Sequence, residues 1–148
     1  MYSFSEIQYA SPEYDESLYL RYKVLREPLG LDYEVEQIED EWDSMHLGMF
    51  SSDGRLVACL VFKILDEYLL KMRQVAVAPD LQHTGIGTEL VRRSEGWAKD
   101  KNYRKIVLNA RDIAVPFYER LSYLRVGAEF VEVGIPHYKM EKHILEVM

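Results

Sequence analysis

The residues most suggestive of chemistry lie in the stretch VAVAPDLQHTGIGTEL, Val75 to Leu90. An apolar alternation gives way to a proline, a short polar loop and two glycines, Gly85 and Gly87, where a helix begins. The first turn of a helix presents unpaired backbone N–H groups at the positive end of its dipole, so it favours an anion. Glycine at both positions removes side chains from that turn and lets a bulky anion approach the backbone. Gln82, His83 and Thr84 lengthen the loop that would wrap it, and a pyrophosphate fits that description. Two common phosphate motifs do not fit. The dinucleotide pattern G-x-G-x-x-G needs glycine at position 90, where Leu90 stands, and the G-x-x-x-x-G-K-[ST] loop needs a Gly-Lys pair that the chain lacks.

Other side chains offer chemistry with less pattern around them. His137, in VGIPHYKM, is set at a strand start by Pro136, and an imidazole is a common general base; a purely structural histidine is the alternative. Glu34, Glu36, Glu39, Asp40, Glu41 and Asp43 form an acidic run that could attract a cationic amine or simply be a solvated face. Arg21 and Arg26 could bind a carboxylate or form surface ion pairs. His46 and His83 have no partner at metal-ligand spacing, so no metal is implied. Cys59, inside LVACLVF, reads as a buried core thiol.

The elements that must position these residues follow from periodicity and breakers. Ser3–Ala10 alternates as a strand does, and Ser11-Pro12 reads as an N-cap followed by proline at the first helical position. Leu18, Tyr22, Leu25 and Leu29 continue at helical spacing until Gly30 closes the helix. The acidic run is expected to be a short helix or loop. Met45–Phe50 and Leu56–Ile64 read as a strand pair around a turn at Ser52-Asp53-Gly54, and Tyr68–Ala78 as a further strand. A helix over Gly85–Lys101, a strand over Lys105–Asn109 and a helix over Ile113–Leu121 precede two strands near Ala128–Val133 and His137–Lys142. This order predicts an α/β (α+β) domain spanning residues 1–148, with a mixed sheet and helices on its faces.

Composition narrows the partners. The chain has 148 residues, a net charge of −7 and one cysteine, which excludes an internal disulfide. Without a basic patch an acidic protein is not expected to bind nucleic acid. No apolar run reaches the roughly 18 residues of a membrane helix, and MYSFSEIQYA lacks the features of a secretory signal, so a cytoplasmic protein without a membrane partner is expected.

The pattern strand–x-P-x-x-Q-x-x-G-x-G–helix resembles the GNAT superfamily of N-acetyltransferases. The chain supplies Val75-Ala76-Val77-Ala78-Pro79, then Gln82-His83-Thr84-Gly85-Ile86-Gly87, then Leu90. A second family element, F-Y-x-x-x-G-[FY], is matched by Phe117-Tyr118-Glu119-Arg120-Leu121-Ser122-Tyr123. The resemblance implies a GNAT-like, mostly antiparallel twisted sheet of about six or seven strands with a splayed central strand pair. It further implies acetyl-CoA as co-substrate, with the Val75-Ala76-Val77 backbone along the pantetheine arm. The N–H groups of Gln82, His83, Thr84, Gly85, Ile86, Gly87 and Thr88 would hold its pyrophosphate.

By the same resemblance Tyr118 is the general acid for the departing thiolate: a phenol with a pKa near 10 is protonated at pH 7. A backbone N–H near Val75 would hold the oxyanion. The glutamate that some members carry before the loop is missing from Lys71-Met72-Arg73-Gln74, which leaves His137, a water relayed from Glu132, or the substrate's own carboxylate as the base. Arg111 replaces the asparagine often found seven residues before the tyrosine, while Asn109 lies two residues earlier; Asn109 would take over a pantetheine hydrogen bond, or Arg111 would reach the cofactor's phosphates or an acidic substrate. Ser122 replaces the motif glycine. The expected activity is direct acetyl transfer to the primary amine of a small acceptor in a ternary complex, and the resemblance allows a homodimer. A non-catalytic acyl-CoA sensor is the alternative, and transfer to a hydroxyl or of a longer acyl group a third.

Overall fold

The computed structural model describes residues 1–31 and 35–145, the side chains at 35 and 36 excepted, so Glu34 of the acidic run lies outside the described residues. Seven strands form one sheet: β1 (Tyr2–Ile7), β2 (Met45–Ser51), β3 (Leu56–Ile64), β4 (Leu69–Val77), β5 (Lys105–Arg111), β6 (Leu124–Glu132) and β7 (Ile135–His143). Their spatial order is β1-β2-β3-β4-β5-β7-β6, antiparallel throughout except for the parallel β4–β5 pair. β3 sits where both faces are covered, and every residue from Leu56 to Phe62 is buried. That explains why LVACLVF reads as a continuous apolar run rather than an alternation.

Among the described residues four α-helices flank the sheet: α1 (Pro12–Arg21), α2 (Val35–Glu39), α3 (Ile86–Asp100) and α4 (Val115–Arg120). Ser11 caps α1, its side chain accepting from Tyr14 N–H at 3.1 Å, with Pro12 in the first turn. The helical pattern continues past Arg21 in a wider π turn, Tyr22–Arg26, and a short 3-10 turn, until Gly30 stops it at φ +69°. The predicted single helix is therefore three helical pieces ending at the predicted glycine.

α3 and α4 cover one sheet face, over a core that includes Leu60, Phe62, Leu70, Met72, Leu90, Ile106, Leu108 and Met140. α1 packs over β3 and β4 on the other face, with Ile7, Tyr14, Leu20, Cys59 and Ala76 between. The thiol of Cys59 is buried as expected, and loss of solvent pushes it up to about 12, far from a neutral-pH thiolate. No helix of the described residues is long and apolar enough to cross a membrane.

Candidate active site

The site begins with an extra residue in β4. Val61 faces Arg73 across the β3–β4 ladder and Cys59 faces Ala76, so three steps on β4 match two on β3. Gln74 takes up the surplus at φ +57°. Such a bulge shifts side-chain alternation by one, which turns Val75 and Val77 toward the α3/α4 core and leaves Ala76 in the α1 core. Ala78 N–H donates to Val57 C=O at 2.8 Å, which fixes the hydrogen-bond phase: Ala76 uses its backbone groups on β3, and those of Val75 and Val77 point to the opposite edge.

Among the described residues no strand meets them there. The parallel β4–β5 register runs only from Leu69↔Lys105 to Met72↔Leu108. Beyond it the two strands diverge, the splayed central pair that was expected. A cleft of about 600 Å³ opens in this gap. Its walls include Phe117 and Tyr118 from the α4 side and Val24 from the π turn after α1, so it passes from one face of the sheet to the other.

At one end of the cleft stands the loop before α3. Gly85 has φ +90°, a conformation that side-chain-bearing residues rarely adopt, and His83 is likewise left-handed at +64°. At Gly87 a Cβ would make ordinary contact, 3.4 Å from Val77 Cγ2 and 3.6 Å from Phe117 Cζ, so glycine there leaves open the crevice where β4, α3 and α4 meet. The loop is braced from within. Gln82 Nε2 donates to Val77 C=O at 3.1 Å, and the Thr84 hydroxyl donates to Leu81 C=O. Left-handed turns running into a helix N-terminus gather N–H groups into an anion cradle. A diphosphate, followed by an extended amide-bearing arm along Val75 and Val77, fits these donors.

Tyr118 lies beside the cleft, 8% exposed, its ring edge-on to Phe117 and Tyr123. Burial pushes its phenol well above the usual tyrosine range, so it holds its proton at neutral pH. Among the described residues its hydroxyl makes no hydrogen bond. Behind it, Lys142 Nζ donates to Leu121 C=O at 2.8 Å and to Glu95 Oε1 at 2.9 Å, while the Tyr123 hydroxyl donates to Glu95 Oε2 at 2.9 Å. This buried network ties the end of α4 to α3 and β7.

Of the residues singled out in the sequence, Val75, Val77, Gln82, His83, Gly85, Gly87, Thr88 and Tyr118 line the cleft together. Ala76 and Ile86 point into the two cores. Asn109, Arg111 and His137 sit on the sheet face away from α3 and α4, where Arg111 pairs with His137 and Asn109 with Lys139. The His137 ring is buried against Phe130, its Nδ1–H donating to Ile135 C=O at 2.8 Å and its Nε2 3.6 Å from Glu132. The structure therefore does not bring His137 to Tyr118. Ile113, Ala114, Phe117 and Arg120 complete the lining and went unremarked as site residues, although Phe117 and Arg120 stand inside the quoted motif. Arg21 is no free carboxylate binder: it is wholly buried and forks onto Glu41.

The sequence model described as the acetyltransferase (GNAT) family matches residues 10–123. The chain belongs to this family. An N-acetyltransferase of Bacillus subtilis, YjcF, itself described as uncharacterized, is 28% identical over 86% of this chain and 90% of its own. An acyl-CoA N-acyltransferase from Pseudomonas aeruginosa superposes with a TM-score of 0.81 at 22% identity, over 96% of this chain and 99% of that one. A GNAT acetyltransferase from Elizabethkingia anophelis with acetyl-CoA bound gives 0.73 at 17% identity, over 96% and 97%. These structural likenesses establish the GNAT fold. Membership makes the chain an acyl-CoA-dependent acetyltransferase, and it does not favour a passive sensor.

Proposed function

We propose that this GNAT enzyme moves an acetyl group from acetyl-CoA directly to a primary amine, with both substrates bound at once. One observation carries the reading: a cleft through the sheet, with a glycine-bearing helix start at one end and a buried protonated tyrosine beside it. The N–H groups from Gln82 to Thr88 hold the pyrophosphate, and the exposed Arg120 adds positive charge at the mouth. The backbone groups of Val75 and the N–H of Val77 pair with the pantetheine amides as a neighbouring strand would, while Val77 C=O holds Gln82. Arg111, whose Nε is buried without a partner among the described residues, and Asn109 serve the far end of the cleft.

The amine lone pair attacks the thioester carbonyl, and an N–H near Val75 stabilises the oxyanion. The C–N bond forms, the C–S bond breaks, and Tyr118 gives its proton to the departing thiolate. His137 takes the amine's proton through water. Its donation from Nδ1 to Ile135 leaves the lone pair of the neutral ring on Nε2, and Glu132 beside it would stabilise the cation formed. Tyr118→Phe should lower kcat by roughly 10²–10⁴-fold while leaving acetyl-CoA affinity nearly intact. An unchanged kcat would remove Tyr118 from the chemistry.

A further inference from the structure

Cations gather on the sheet face away from α3 and α4, beside the bulge. Lys63 on β3 stands directly across from Lys71 on β4, and Val61 across from Arg73, so Lys63, Lys71 and Arg73 share one face. Lys71 pairs with Val107 on β5, and Asn109, two residues on, pairs with Lys139 of β7, which places Lys139 on the same face. Among the described residues none of these four cations forms an ion pair, whereas Lys105 on the same face is matched by Glu141. Partial burial, then the charge of Arg73, with Lys63 and Lys139 behind it, holds the Lys71 ammonium below its ordinary value; Glu132 is the acid that opposes them. Like charges directly opposite in a ladder destabilise it, so the arrangement gains from an anion between them.

A cavity of about 120 Å³ lies at this spot, lined among others by Arg26, Lys63, Arg73 and Gln74, and by Asp40 and Glu41. Glu41 is already matched by Arg21. The cavity reaches β4 at Gln74, and the acyl-CoA cleft begins at the next residue, Val75. The π turn is shared as well: Val24 faces the cleft and Arg26 the cavity, with Arg26 Nη1 donating to Gln74 Oε1 at 2.9 Å. The two spaces therefore meet at the bulge, where the acetyl group would be handed over.

We infer that the acceptor is an amine carrying an anionic group, a carboxylate or phosphate, which Lys63 and Arg73 bind with Lys71 and Lys139 nearby, while its amine faces Gln74 and Asp40. The inference rests on the acetyl-transfer reading. A polycationic acceptor would meet like charge here, and the acidic run does not reverse that sign: Glu41 is spent on Arg21, and among the described residues Asp40 is the other acid lining the cavity.

Backbone-amide NMR of the protein saturated with CoA tests it. The probes are β-alanine against β-alaninamide, phosphoethanolamine against ethanolamine, and spermidine. The anionic member of at least one pair should shift the Arg73 and Gln74 signals and bind at least about tenfold more tightly than its neutral partner. The pair that responds separates carboxylate from phosphate. The double variant Lys63→Gln, Arg73→Gln should weaken that ligand about tenfold further and leave CoA affinity unchanged. Equal or tighter binding of spermidine or the neutral amines, or silence from both anionic ones, overturns this inference alone. Failure of CoA to shift the Gly85 to Thr88 amides overturns the acetyl-transfer reading and this inference with it.

Discussion

Glu41 stands in an acidic run yet is buried, because three side chains meet it there. Arg21 forks onto its carboxylate, the Tyr14 hydroxyl donates to Oε1 at 2.8 Å, and His46 Nε2–H donates to its backbone carbonyl at 3.0 Å. Burial alone would push the Glu41 carboxyl up, but the hydrogen bonds and charge of Arg21, helped by Tyr14, outweigh it and hold the group below its usual range. Burial likewise pushes the His46 imidazole below its ordinary value. Glu41→Gln would leave the Arg21 charge buried and uncompensated, which should cost about 3–5 kcal/mol in a urea unfolding experiment. Both depressed groups take up protons more readily unfolded than folded. The stability these two groups contribute should therefore be full above pH about 6.5 and fall on acidification, first through His46 and then, below about 4.5, through Glu41. Urea midpoints at pH 7 and pH 5 would show it, and His46→Gln should flatten that interval. None of this was legible in the sequence, since twenty positions separate Arg21 from Glu41 and no local period links them. Tyr118 was legible because its signal is a short motif.

At the scale of elements, the loop into α3 could be read directly, because each constraint falls on a residue type. Gly85 is needed for a positive φ, Gly87 leaves the crevice beside Val77 and Phe117 open, and Pro79 stands where the strand ends. The bulge in β4 could not. Its left-handed residue is Gln74, not glycine, and nothing in KMRQV marks the lost step. The π turn was hidden in the same way, since its apolar residues still sit near helical spacing. Ser122 also departs from residue preference: it follows α4 at φ +73°, where the family motif has glycine. Relief of that strain by Ser122→Gly should stabilise the protein by about 1 kcal/mol. For a domain of this size, a rise in Tm of about 2–4 °C is expected. Because Lys142 still holds Leu121 C=O, the acetyl-CoA affinity of that variant should not change.

At the scale of the whole molecule, one sheet does two jobs. Its first half, β1 to β4, is covered on both faces along Leu56–Phe62 of β3 and gives a wall there; its second half, β5 to β7, shares with the ends of β3 and β4 the open charge on the face away from α3 and α4. The gap between halves is where a parallel pair ends after four residues, and both substrates would meet there. Element order announced this architecture, because strands precede and follow single helices. Which strands part, and where the cations converge, depends on registers between strands distant in sequence. The central claim is that this gap holds acetyl-CoA by its pyrophosphate and arm. Thermal melting of the protein with acetyl-CoA, and with NAD and ATP as controls, tests that most directly. At about one hundred times its dissociation constant a ligand adds roughly 2.7 kcal/mol, a rise on the order of 5–10 °C here. A rise with acetyl-CoA alone is the expected result; no rise, or one matched by a nucleotide, would contradict the account.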